Sequence, residues 1–278
     1  MKSLLTLSRA LLLFATAAAG GAQAGERLNW GWFNAAPFMM VAGPDHNQGV
    51  FDQIRALLRE QMPDYEHQDI QAPFPRILQE IRNGNAWCFV GGVKTPAREA
   101  LAHFSAPVAV FLPFKAVVRK DRLAEFGDSV SLAALLDDKA LKTSFLRGRT
   151  HTPPIDALLQ QAPSPSYHSE FNEALQMLLA RRLDYLVEQP IISAYSARQL
   201  GRDGELAALP IRESSEFTLS RVMCPRNEWG LRVVRRVNAV LRAERDGARY
   251  RAIVERWSDP DAVRAIRAIY PTHVMQPE

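Results

Sequence analysis

Residues 91–118 read G-G-V-K-T-P-A-R-E-A-L-A-H-F-S-A-P-V-A-V-F-L-P-F-K-A-V-V, and the second half of this stretch decides the architecture. Val108–Val118 is a long, apolar, extended run. Phe217–Pro225 is a second one near the other end of the chain. Together they bracket a middle block of about a hundred residues with its own strand and helix signals, the size of a small domain. A chain that leaves one α/β domain, builds another and returns predicts two lobes joined by paired crossovers. Such lobes close on a ligand by hinge motion. One continuous α/β domain is the alternative reading.

The first half of the stretch carries the chemistry. It reads as a strand end and a glycine turn, then a helix opened by Thr95 as N-cap and Pro96 at the first helical position. Arg98 then falls in the first helical turn, where the helix dipole disfavours a cation. An arginine there makes sense beside a carboxylate or phosphate held by the Thr95 hydroxyl, the free N–H groups and the guanidinium. The competing reading is a solvated arginine offset by neighbouring Glu99.

Residues 1–24 set the expected compartment. Lys2 and Arg9 precede an apolar run from Ala10 to Ala19, and Ala22-Gln23-Ala24 supplies small residues for cleavage. This is the pattern of a secretory signal peptide, with export to a bacterial periplasm expected. Cleavage would take the basic count from 34 to 32 against 30 acids, a net charge of about +2. So balanced a chain argues against nucleic acid or an anionic membrane surface as partner. Cys88 and Cys224 are the two cysteines, both in apolar strand-like contexts. In an oxidising compartment they read as one disulfide, with two separate buried thiols as the other reading.

The rest of the chain alternates strand and helix signals. Strands are expected at Arg27–Phe33, Trp87–Val90, Lys142–Leu146 and Leu183–Val187. Helices are expected at Val50–Gln61, Pro73–Arg82, Ser131–Asp137, Pro153–Gln161, 170–181, Ile191–Leu200, Leu231–Arg242 and Tyr250–Trp257. Such alternation predicts helices packed on a largely parallel sheet. The six histidines show no paired metal spacing, and no phosphate loop, dinucleotide fingerprint or Gly-x-Ser-x-Gly occurs, so no metal or cofactor is expected.

A set of ordered pieces resembles the family 3 periplasmic solute-binding proteins, the class containing many polar amino-acid receptors. The pieces are Ala36-Pro37-Phe38, Gly49-Val50-Phe51-Asp52, the Phe74–Gly84 helix with its glycine end, and Thr95-x-x-Arg98 leading to Phe104-Ser105-x-Pro107. Glu173-Ala174-Leu175 to Leu183-Asp184 and Asn238 through Trp257 complete the set. The resemblance implies the type II fold, two α/β lobes joined by two extended hinge strands. Its expected division is a signal peptide at 1–24, a first lobe at 25–115 and 215–278, and a second lobe at 116–214. It also implies a monomer that serves a membrane permease or a sensor.

For the site, the resemblance implies that Arg98 pairs bidentately with a ligand carboxylate, with Thr95 adding a donor. The 148–152 segment, including Arg149 and Thr150, would contribute N–H groups and charge. Trp32, Phe33 or Phe38 would stack on the ligand body. Glu188 or Gln189 stands where the family receives a ligand amine. Departures are visible at Ala35, at Gly91-Gly92-Val93, at Ala86 and at the shifted acid. They leave the carboxylate half of an amino-acid site and remove part of the amine half. The expectation is therefore a binding protein for a small anionic or zwitterionic solute. A dehydratase-like enzyme with Glu188 as its acid and a ligand-sensing module are the alternatives.

Overall fold

The computed structural model describes residues 25–162, 165–169 and 171–275. The expected signal peptide therefore lies outside the described residues. In chain order the first elements are β1 (Glu26–Trp32), α1 (Val50–Gln61), β2 (Tyr65–Gln71), α2 (Phe74–Arg82), β3 (Trp87–Val93), α3 (Pro96–Glu99) and β4 (Ala102–Phe111). The middle block follows as β5 (Lys115–Arg119), α4 (Leu123–Phe126), α5 (Leu132–Asp137), β6 (Phe145–Leu146), α6 (Pro153–Gln161) and β7 (Tyr167–His168). It continues through α7 (Phe171–Leu179), β8 (Tyr185–Glu188), α8 (Pro190–Gln199) and β9 (Leu206–Pro210). The chain returns through β10 (Thr218–Pro225), α9 (Glu228–Glu244), α10 (Ala248–Glu255) and α11 (Pro260–Ile269).

Two main sheets form. The first is five-stranded in the order β2-β1-β3-β10-β4, and the second is three-stranded in the order β8-β5-β9. Leu28 through Trp32 of β1 are buried on both faces because helices cover both sides of the first sheet. In β5, Ala116 and Val118 face one apolar core with Phe145, Ile155 and Tyr185. Val117 faces the other, with Leu175 and Leu178. The three-stranded sheet thus has its own core on each side, separate from the larger core around Trp30, Leu57 and Val237.

The largely parallel sheet expected from the sequence needs correction. β1 pairs in parallel with β2 and β3, but β10 runs antiparallel to β3 and β4. In the second sheet β5 is antiparallel to both neighbours. The reason lies in the crossovers: the chain leaves along β4–β5 and returns along β9–β10, so the two connections run in opposite senses side by side. Val108–Val118 accordingly splits into β4 and β5 at Leu112-Pro113-Phe114, and proline cannot donate to a ladder. The edge strand β2 (YEHQDIQ) and the strand β9 were not expected. β2 is rich in polar residues and gives only a weak apolar alternation.

The crossover is tied down by side chains from the returning segment. β4 bulges where Pro107 interrupts its pairing with β10. Asn238 Oδ1 accepts the Ala106 N–H at 2.8 Å, Arg221 Nη1 donates to Ser105 O at 2.8 Å, and Tyr250 donates to Val108 O at 2.9 Å. Arg245, 3 % exposed, donates to Pro107 O and Val274 O. Cys88 and Cys224 form a disulfide that joins β3 to β10 across 136 residues. No helix among the described residues is long and apolar enough to cross a membrane.

Candidate functional site

A cleft of about 760 Å³ opens between the two sheets and is lined from both sides. Its first wall starts with the turn between β1 and α1. There Asp52, buried, accepts the N–H groups of Met40 at 2.8 Å and Gly49 at 3.0 Å. Arg55 donates to it at 3.2 Å. Burial of this carboxyl raises its pKa, and Arg55 and the two N–H bonds oppose the shift. The turn closes so tightly that a side chain at Gly49 would sit 2.4 Å from Phe38 O. It sets the Phe38 ring 5.2 Å from Phe51 and 5.0 Å from Phe111.

Gly91 makes the second close approach. It sits at φ +109°, and a Cβ there would meet the Phe51 ring at 2.4 Å. Only glycine both reaches that conformation without strain and leaves room for the ring. Phe33, Phe74 and Phe89 form a second aromatic group, with centroids 5.2 to 5.9 Å apart.

Arg98 stands beside these rings. Its guanidinium lies 5.2 Å over Phe74, and it donates to Val93 O at 3.1 Å and to Thr150 Oγ1 at 3.0 Å. The residue is 9 % exposed, and no carboxylate of a described residue lies within ion-pairing distance of it. Burial lowers its pKa, with the Asp156 charge acting against that. A ligand anion would relieve the unpaired buried charge. Glu99, the neighbour that would have explained Arg98 as a solvated residue, pairs instead with Lys94 at 2.9 Å.

The second wall comes from β6 and the loop after it. Arg149, Thr150 and His151 line the cleft with Phe114 and Gln189. Arg149 Nη1 bonds Glu188 Oε2 at 2.5 Å, and its guanidinium lies 4.9 Å over Phe114. His151 is buried between Phe114 and Phe145 and faces Asp156 at 3.2 Å. Burial lowers its pKa. Inside the loop, the Arg149 N–H goes to Leu146 O at 3.2 Å and the His151 N–H to Asp156 Oδ1 at 3.0 Å.

The residues expected from the sequence divide accordingly. Arg98, Phe38, Arg149 and Thr150 line the cleft together, as does Phe33. Thr95 stands behind it: its hydroxyl accepts the Arg98 N–H at 3.3 Å, and the helix it opens is only four residues long. Trp32 points elsewhere, buried with Arg55 over its ring at 4.9 Å. Glu188 borders a separate small cavity beside Ser144 and His168 and does not line the cleft. The apolar lining contributed by Phe51, Phe74, Phe89, Phe111 and Phe114 had no recognisable role in the sequence. The one available signal was that strand-edge and helix-start phenylalanines recur near the glycine turns.

No group of three or more histidine, cysteine or acidic residues that could hold a metal occurs among the described residues. No protein-family model matches the sequence, and no curated protein matches it either. Solved structures do match the fold. A histidine kinase sensor domain with similarity to periplasmic binding proteins superimposes at TM-score 0.67, with 16 % identity over 84 % of this chain and 96 % of that one. An amino-acid ABC transporter substrate-binding protein from Streptococcus pneumoniae, bound to L-arginine, gives 0.65 and 18 % over 84 % and 93 %. An ancestral amino-acid-binding protein, a precursor of cyclohexadienyl dehydratase, gives 0.63 and 18 % over 84 % and 95 %. The resemblance read from the ordered sequence pieces thus holds at the level of architecture: the chain has the two-lobe, type II periplasmic-binding-protein fold.

Proposed function

We propose that this chain is an exported solute-binding protein that captures a small carboxylate-bearing ligand between its lobes by hinge closure. The observation that carries the reading is Arg98. It is a buried guanidinium without a carboxylate partner among the described residues, on the wall of a cleft lined from both sheets. Bidentate pairing with a ligand carboxylate is the interaction this geometry favours. Thr150 and Arg149 would act from the opposite wall, and Phe38 would pack on the ligand body.

Lobe limits near 115 and 215 fit the separation of the apolar cores, with β4–β5 and β9–β10 as the paired hinges. Export to the periplasm rests on the charged, apolar and small-residue pattern of residues 1–24. Delivery to a permease and presentation to a sensor are both compatible with the range of similar structures.

A dehydratase-like activity would need a protonatable acid facing the ligand. Glu188, the residue expected to serve, is held by Arg149 and lies outside the cleft lining. A binding role is therefore the better reading. Thermal unfolding of Arg98→Ala tests it. The variant should fold like the parent but show no stabilisation by a carboxylate ligand that stabilises the parent. Unchanged stabilisation would sink the assignment.

A further inference from the structure

We infer that the ligand is a monocarboxylate with an aromatic or similarly flat apolar body, and that an uncharged group stands where an amino acid carries its ammonium. The inference rests on the carboxylate-binding reading above and adds the ligand's class. Its first ground is the wall chemistry: Phe33, Phe38, Phe51, Phe74, Phe89 and Phe111 all line the one cleft. Rings at this spacing offer edges and faces to another ring. A guanidino side chain would lose its hydration against them with no acid of a described residue to pair it, and a second carboxylate would find Arg149 already bonded to Glu188.

The second ground is charge. Among the described residues, no aspartate or glutamate lines the cleft. Glu188, the nearest acid in sequence to the expected amine position, has both oxygens engaged: one by Arg149 at 2.5 Å and the other by the Gln189 N–H at 2.6 Å. An ammonium entering the cleft would therefore be desolvated without an anion of a described residue to meet it. Arginines 98 and 149 on the walls would add repulsion.

The third ground is Gln189. The residue is 4 % exposed and lines the cleft. A primary amide there offers a ligand two donors and an acceptor. It suits a ligand hydroxyl or keto group and gives an ammonium only a neutral acceptor.

Calorimetric titration of the refolded, ligand-free protein with 3-phenyllactate, L-phenylalanine, L-arginine and L-glutamate tests this. The first two compounds differ only in hydroxyl against ammonium. 3-Phenyllactate should bind at least tenfold more tightly than L-phenylalanine, and the two polar amino acids should give no measurable heat. Arg98→Gln should remove 3-phenyllactate binding, and Phe38→Leu should weaken it about fivefold with an unchanged circular-dichroism spectrum. Gln189→Glu should narrow or reverse the preference in favour of L-phenylalanine. Arg98-dependent binding of L-arginine, L-glutamate or L-phenylalanine in preference to 3-phenyllactate would overturn the ligand class and leave the carboxylate reading standing. Binding that ignores Arg98→Gln, or no binding by any of the four, would overturn both.

Discussion

The Arg98 guanidinium donates to the Thr150 hydroxyl at 3.0 Å, joining residues 52 apart in sequence that belong to opposite walls of the cleft. This bond orients the guanidinium before any ligand arrives and also bridges the lobes. Hydrogen bonds to charged groups are worth about 1.5–3 kcal/mol. Thr150→Val keeps the shape of the side chain and removes the acceptor. It should weaken ligand affinity by roughly tenfold in calorimetry and lower apo stability by about 1.5–3 kcal/mol. Equal affinity for both proteins would show that Thr150 does not position Arg98.

A second cross-lobe contact lies away from the aromatic wall. Asp45, in the loop before α1, accepts from Tyr195 at 3.0 Å and from Gln199 at 3.4 Å, both on α8. Tyr195 also packs edge-on against Trp257 at 5.3 Å. Burial and the Asp45 carboxylate push the Tyr195 hydroxyl up to about 12, so it stays a donor at neutral pH. Tyr195→Phe should shift the unliganded protein toward an open form. Small-angle scattering should record a larger radius of gyration without ligand and convergence with the parent when ligand is bound.

The disulfide closes a loop of 136 residues. Chain-entropy reasoning puts the stabilisation from so long a loop at about 5 kcal/mol. Reduction should therefore lower the denaturation midpoint markedly, and the denatured, unreduced protein should titrate no free thiols. Because the bridge ties β3 to β10 within one sheet, ligand affinity under mild reduction should change far less than stability.

Acid should weaken the fold through its buried histidines. Burial lowers the pKa of His151, His67, His103 and His168 below the ordinary 6.5. Protons then bind the unfolded chain first, so the stability these groups contribute is complete above 6.5 and is lost as pH falls below it. Urea midpoints should drop between pH 7.5 and pH 5. His151→Asn should flatten that slope, since His151 is the most deeply buried of the four. An unchanged slope would mean that its ring is not held neutral.

The two-lobe arrangement was legible early because its signals are local and repeated. Val108–Val118 and Phe217–Pro225 are extended by composition alone, and helical spacing marks α1, α2 and α9 without reference to any neighbour. Arg98 was legible for the same reason. A cation at the start of a proline-led helix is locally unfavourable, so it asks for a distant partner. Trp32 was expected to stack on a ligand and lies outside the cleft lining, because strand alternation reports that a residue faces one side of a sheet, not which side holds the cleft.

Pairings across the fold stayed invisible until the chain was assembled. Glu188 is spent on Arg149 because the β6 loop and the end of β8 meet, 39 residues apart in sequence. The phenylalanine wall exists because the strand order β2-β1-β3-β10-β4 brings residues 33, 89 and 111 to one edge with rings from α1 and α2. Propensity and periodicity act over a few residues and suffice to name strands, helices, crossovers and the lone arginine. Which side chains share a cavity depends on strand order and lobe approach, which only long-range packing sets. The sequence alone therefore singled out Arg98, and tertiary structure alone decided what surrounds it.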